Sequence, residues 1–281
     1  MSRELPSFDL VVASVGRVDE LARFLDSVEA QGYERVRVVL VDQNEDARLD
    51  PVLTGRGLDV TRIRSPRGLS RARNAGLAHV TSDLVAFPDD DCTYPPGLLE
   101  RVAARFAGES DLDGLTGRAE DASGKSSASW KSDAALLTTG NLWNRVISHT
   151  IFVRREVVER VGPFDERLGL GSGEPWSSGE EIDYLVRAVR TGARIEYDPS
   201  LVVLHDVRAD DARIGFRDGA SVGYLLRKHG YPLRTRVRTL VRPIGGAALS
   251  LARLDSGRAS FHAATLRGRV TGLRSGARSE P

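Results

Sequence analysis

Two rhythms of apolar residues alternate along the first 110 positions of the chain. Short runs at Phe8–Ala13, Arg35–Val41, Asp59–Ile63 and Asp83–Phe87 have the length and valine content of strands. Between the first two, Val18, Leu21, Phe24, Leu25 and Val28 recur at helical spacing, giving one apolar face. Leu69–His79 reads as a second helix with Ser70 as a candidate N-cap, and Pro96–Phe106 as a third, amphipathic one. Strands alternating with helices predict an open, mostly parallel α/β sheet covered on both faces. Ligands of such sheets bind beyond the carboxyl ends of the strands. Asp42 and the run Asp89-Asp90-Asp91 both fall just past such ends.

The pattern then loosens. Residues 108–133 are rich in Ser, Gly and Asp and read as a surface loop holding one short strand, Gly114–Arg118. A second ordered block follows from about Thr150 to Asp206. It predicts a strand at Ile151–Val153, helices at Arg155–Val161 and Glu180–Arg190, and strands at Arg194–Tyr197 and Leu201–Leu204. Its loop at 162–179 carries Gly169, Gly171, Gly173 and Gly179, backbone freedom suited to closing over a ligand. Beyond Arg208 only helical patterns appear.

Composition changes this picture in two places. Cys92 is the single cysteine, so no internal disulfide forms. From Gly219 onward twelve Arg or Lys face two acids, a net +10 in a chain whose total is +1. A basic helical tail suits an anionic membrane surface, and it also suits a solvated helical face. The most apolar stretch, Leu240–Leu254, is broken by Arg242, Pro243, Gly245, Gly246 and Arg253 and is not expected to span a bilayer. The N-terminus lacks the long apolar region of a signal peptide.

Three adjacent carboxylates repel one another unless a cation sits among them, and hard divalent cations favour carboxylate oxygen. Capping of the following turn is the alternative. The run Val85-Ala-Phe-Pro-Asp-Asp-Asp-Cys-Thr-Tyr-Pro-Pro96 resembles the D-x-D segment of family 2 glycosyltransferases. Val11–Arg17, Val39–Asn44 and Gly68–Gly76 resemble that family's first strand, second-strand aspartate and A-R-N-x-G segment. Phe152–Glu166, Gly179-Glu-Glu-Ile-Asp183, Tyr197-Asp-Pro and Val203-Leu-His205 resemble its acceptor-side motifs, in the family's order. The likeness covers roughly residues 7–206.

The resemblance implies a GT-A type, Rossmann-like α/β fold: a mostly parallel mixed sheet flanked by helices, with a C-terminal helical extension. It implies a catalytic domain over 1–207, its nucleotide-sugar half about 1–107 and its acceptor half about 108–207, with a basic extension over 208–281. The reaction expected is inverting transfer of a sugar from a UDP-, GDP- or dTDP-sugar to a hydroxyl of a glycan or lipid-linked glycan, as in cell-envelope polysaccharide synthesis. A divalent cation, Mn²⁺ or Mg²⁺, would be held by Asp91 and Asp89 and completed by His205. Ser14, Arg17, Asp42, Arg73, Asn74, Asp89 and Asp90 are the implied nucleotide-sugar contacts. Asp42 is equally a turn-capping aspartate, and His205 an ordinary strand-end histidine.

Acceptor activation needs a general base. The family's E-D pair is Glu180-Glu181 here, so Glu181 stands where an aspartate is usual, and Glu180 and Asp183 remain alternatives. Acids also complement a helix N-terminus. Trp176 is a candidate platform for an acceptor sugar.

Two other readings compete. A sugar-nucleotide nucleotidyltransferase would show a Gly-rich turn after the first strand with a nearby lysine, whereas Val12-Ala-Ser-Val-Gly-Arg17 stands there and the first lysine is Lys125. A non-catalytic nucleotide- or sugar-binding module would have no use for acids at both the metal and base positions. The expected placement is cytoplasmic, peripheral at the inner face of the plasma membrane, with no nucleic acid as partner.

Overall fold

The computed structural model describes residues 4–126, 129–206 and 211–275. The first strand, β1 (Phe8–Ser14), has helix α1 (Asp19–Glu29) after it, then β2 (Val36–Asp42), a short α2 (Asp50–Leu53) and β3 (Asp59–Arg64). Helix α3 (Leu69–Leu77) leads to β4 (Leu84–Ala86), β5 (Cys92–Thr93) and α4 (Leu98–Gly108). Strands β6 (Gly114–Glu120), β7 (Ala135–Leu136) and β8 (Phe152–Arg154) precede α5 (Arg155–Val161) and α6 (Glu180–Arg190). Strand β9 (Ile195–His205) closes the sheet, and α7 (Ala212–Lys228), α8 (Leu233–Ala252) and α9 (Ser256–Arg274) follow.

Among the described residues the sheet has nine strands, in the order β3-β2-β1-β4-β8-β6-β9-β5, with β7 also on β9. Strands β3, β2, β1 and β4 run parallel, and β8 is antiparallel to both β4 and β6. The mixed half arises where β8 enters. Strand periodicity decides what each face meets. Phe8, Leu10 and Val12 of β1 pack in one cluster with Leu21, Phe24 and Leu25 of α1 and with Leu98, Leu99 and Val102 of α4. On the other face a Cβ at Gly76 of α3 would lie 2.4 Å from Val11 Cγ1, so only glycine lets α3 sit this close to β1.

Asp9 is the charged residue of β1, with no exposed surface. Arg37 Nε and Nη2 donate to its two oxygens at 2.8 and 2.9 Å, and the Thr81 and Ser82 amides add bonds of 2.6 and 2.9 Å. Burial works to raise its carboxyl; these bonds and the guanidinium charge outweigh burial and hold it below the usual range.

Several expectations need correction. Ser70 lies inside α3 rather than capping it, and its hydroxyl donates to the Leu168 carbonyl at 2.7 Å. The two short strands expected at 194–204 are one, β9, running through Pro199. It stays continuous because the β6 register shifts between Thr116 and Arg118, where a Cβ on Gly117 would lie 2.0 Å from the Leu201 carbonyl oxygen. The short strand expected at Gly114–Arg118 within 108–133 is present as β6, seven residues long and inside the sheet between β8 and β9.

The chain clusters into two compact units, 1–67 with 71–164 and 184–207, and 68–70 with 165–183 and 208–281. The domain boundary expected at 207/208 lies outside the described residues. In the second unit α7 and α9 meet through glycines four residues apart. A Cβ at Gly219 would lie 2.4 Å from the Thr265 carbonyl oxygen, and one at Gly268 would lie 2.1 Å from that of Phe216. Small residues at this spacing let two helix backbones touch.

Candidate active site

Strand ends assemble the site in the first unit. The chain leaves β4 through Phe87 and Pro88 into Asp89-Asp90-Asp91, then pairs antiparallel with β9 so that Cys92 faces His205. That pairing brings His205 Nε2 to 3.1 Å from Asp91 Oδ1. The other Asp91 oxygen lies 2.6 Å from Arg17 Nη1, which also reaches Asp90 Oδ1 at 2.7 Å. One guanidinium from the turn after β1 thus ties together two of the three acids. Burial works to raise the Asp91 carboxyl; the His205 hydrogen bond and charge, with Arg17, hold it below the usual range.

Asp89 has a different set of partners. Its Oδ1 accepts from Arg73 Nη2 and Ser148 Oγ, both at 3.2 Å, and its Oδ2 lies 3.1 Å from His149 Nδ1. Burial opposes its charge, but the His149 bond and the charges of His149, Arg73 and His205 prevail and press the carboxyl far below its ordinary value. Arg73 is buried, with its guanidinium 5.6 Å from the centre of the Phe164 ring.

Asp90 goes the other way. At 5% exposure, burial raises its carboxyl to about 6, against the Ser14 and Arg17 hydrogen bonds, and Asp91 adds to the rise. A raised native value means that the folded chain holds this proton more tightly than the unfolded chain. Stability from Asp90 is therefore full below about 4 and lost as pH rises towards about 6. Asp90→Asn escapes that loss, so its stability relative to the parent should improve steadily between those two pH values. Urea midpoints measured across the interval check the sign.

His149 is the residue that motif reading did not find. It sits in a one-turn 3₁₀ helix, Ser148–Thr150, before β8, and its ring stacks on His205 at 4.8 Å with planes 2° apart. Its Nε2 is buried with no hydrogen-bond partner among the described residues. Asp89, His149 and His205 bring their ligand atoms within 4.8 Å of one another. Two imidazoles and a carboxylate, one imidazole nitrogen orphaned, are a donor set that suits a divalent metal. The ligand set expected from the motifs was Asp91, Asp89 and His205; here Asp89 and His205 converge with His149, while Asp91 pairs with Arg17 and His205.

The remaining donor-side residues hold the frame. Asp42 is fully buried: Oδ1 accepts from the Asn44 amide and side chain at 2.8 Å each, and Oδ2 from Arg62 Nε at 2.8 Å and Nη2 at 2.5 Å. Four donors fill the acceptor positions of a carboxylate, and with them Asp42 fixes its turn. Asn44 carries the link onward, its Oδ1 accepting from the Gly16 amide at 2.7 Å. Asn74 likewise grips the Phe164 backbone, donating to its carbonyl at 3.0 Å and accepting from its amide at 2.7 Å. Ser14 is buried and bonds the Arg17 carbonyl at 3.4 Å.

In the second unit the three candidate bases separate by environment. Asp183 has no exposed surface and lies 2.7 Å from Lys228 Nζ and 2.8 Å from His229 Nε2. Lys228 also bonds Asp165 at 2.7 Å, which joins the F-D-E and G-E-E-x-D segments through one ammonium. Glu180 is 5% exposed, and Glu181 is the partly exposed member. Trp176 stacks on Tyr224 at 4.7 Å with planes 3° apart, so one ring face is already covered.

A nine-stranded mixed sheet with an acid-rich rim where parallel strands end is the GT-A architecture of nucleotide-sugar-dependent glycosyltransferases. Residues 9–162 match Glycosyl transferase family 2, and the chain belongs to that family. It is 29% identical over 209 residues to the pre-mycofactocin glycosyltransferase of Mycobacterium tuberculosis, covering 68% of this chain and 43% of that one. The chain thus spans less than half the length of the first curated relatives it matches. The mannosyltransferase PcManGT from Pyrobaculum calidifontis, solved in complex with GDP-Man and Mn²⁺, shares the fold with a TM-score of 0.68 at 16% identity, over 96% of this chain and 88% of that one. S. aureus TarS 1-349 in complex with UDP-GlcNAc shares it at 0.61 and 16%, over 95% and 89%.

Proposed function

We propose that the protein is an inverting, divalent-cation-dependent glycosyltransferase that moves a sugar from a nucleoside-diphosphate sugar to a hydroxyl of a glycan or lipid-linked glycan. The observation that carries this reading is the convergence of Asp89, His149 and His205 at the strand ends. These residues would hold Mn²⁺ or Mg²⁺, with Asp91 against His205 beside them. Bound there, the ion supplies neutralisation of the negative charge on the leaving diphosphate.

The chain's own groups do the rest. Arg17 and Arg73 lie beside the acidic run, and these cations would offset charge on the donor phosphates. Ser14, Asp42 and Asn74 keep the surrounding turns in place. Glu181 removes the acceptor hydroxyl proton as that oxygen attacks the anomeric carbon. The bond from that carbon to the diphosphate breaks, and attack from the opposite side inverts the configuration. The basic helices after residue 211 rest on an anionic membrane, a suitable place to meet a lipid-linked acceptor. GDP-Man and UDP-GlcNAc complexes of the two similar structures support a nucleotide-sugar donor.

A panel of UDP-, GDP- and dTDP-sugars with Mn²⁺ or Mg²⁺ tests this. Cation-dependent release of nucleoside diphosphate from one donor class is expected. A chain that binds no nucleotide by calorimetry and releases none across the panel overturns the reading.

A further inference from the structure

Helix α8 is amphipathic the wrong way round for a water-facing helix. Of its 20 residues only Pro243 and Ser250 are buried. Its large apolar side chains point outward: Leu233 is 75% exposed, Val237 50%, Val241 58%, Ile244 52% and Leu251 63%. The first four recur at spacings of four and three, and Leu251 follows seven further on, two turns along the same face, so they form one stripe along the helix. One residue on from its first members, Arg234, Arg238 and Arg242 form a parallel exposed row. The helix contains no acidic residue.

The helix is built to keep this face outward. Pro243 has no amide proton to give the Thr239 carbonyl four residues back; Arg269 of α9 donates to that carbonyl instead. The inner face is therefore committed to α9. A Cβ at Gly246 would lie 2.7 Å from the His262 ring, which is a further close contact between the same two helices.

We infer that α8 lies in the plane of an anionic bilayer surface, with the Leu233–Leu251 stripe inserted among the acyl chains and the arginine row on the phosphates. This rests on the membrane-contact reading above and adds to it an apolar, inserted face. The helix lies on the membrane rather than through it, since no helix among the described residues is long and apolar enough to cross one. A second copy of the chain is a poorer occupant. Two-fold pairing sets a patch against itself, and here that would bring arginine rows together with no acid on either helix to neutralise them.

The full chain is sedimented with phosphatidylcholine vesicles and with vesicles containing phosphatidylglycerol. At least about tenfold preference for the anionic vesicles is expected. V237S/V241S/I244S should weaken that binding by about a hundredfold, and R234S/R238S/R242S should remove the preference for negative charge. All six positions are exposed, so folding is not at stake, and donor cleavage in solution should be unchanged. Because Cys92 is buried, V241C takes a polarity-sensitive thiol label whose emission should shift to the blue on anionic vesicles. If the parent ignores anionic vesicles, membrane contact and insertion both fall. If the serine triple variant binds as tightly as the parent, insertion alone falls and electrostatic contact stands. A dimer that the same serines dissociate would assign the stripe to a second copy.

Discussion

Asp89→Asn should lower nucleoside-diphosphate release by about 10²- to 10³-fold and weaken Mn²⁺ binding measured by calorimetry, while the fold persists. Arg73, Ser148 and His149 all converge on this one carboxylate, and it stays ionised because they outweigh its burial. Asparagine keeps the shape and one acceptor oxygen but loses the charge, and its amide group would turn N–H bonds towards donors. Alanine is the poorer probe. It would remove the Asp89 carboxylate from beside the buried Arg73 guanidinium, and breaking a buried pair costs about 3–5 kcal/mol, so lost activity could mean lost fold. His149→Gln offers an independent check, since it should weaken the cation while leaving the Arg73–Asp89 pair. Unaltered Mn²⁺ affinity in both variants would remove this cluster from the metal's ligands.

The sheet's framework was legible because its strands and helices bury opposite rhythms of side chains. β1, β2, α1 and α4 show those rhythms plainly in Phe8–Val12, Val36–Leu40, Leu21–Val28 and Leu98–Phe106. β5 and β7 were not legible: two residues long, they exist only because β9 offers an edge to pair with. β9 is continuous where two strands were expected, because the missing donor of Pro199 is tolerated by the register shift opposite Gly117. The site divides along similar lines. Asp89, Asp91 and His205 are candidates in the sequence because strand ends and motif order mark them. His149 carries no such mark: it lies 60 residues from Asp89 in sequence, in a single 3₁₀ turn without periodicity, and only the folded chain brings it to Asp89 and stacks it on His205. In the tail, charge was visible from composition, but which face of α8 looks outward was settled by packing on α9.

The three candidate bases differ in exposure, and that difference leads to the second large expected effect. Glu181→Gln should cut sugar transfer by about 10²- to 10⁴-fold, the usual worth of a general base, with donor affinity unchanged. A base must reach a hydroxyl that arrives from solvent and must be free to take its proton. Asp183 is poorly placed on both counts: it has no exposed surface, and its Oδ1 is engaged by Lys228 Nζ at 2.7 Å and His229 Nε2 at 2.8 Å. Glu180, at 5% exposure, is nearly as enclosed. Glu181 alone of the three is partly exposed, and the extra methylene that separates it from aspartate lengthens its reach. The variants therefore divide by readout. Asp183→Asn should show chiefly as lost thermal stability, because it leaves the Lys228 and His229 cluster short of a negative charge. Glu181→Gln should leave the melting curve alone and lower kcat with acceptor while cation-dependent donor hydrolysis by water continues. If instead Glu180→Gln stops transfer and Glu181→Gln does not, the proton goes to the enclosed carboxylate, and the helix N-terminus must open towards solvent when the acceptor binds.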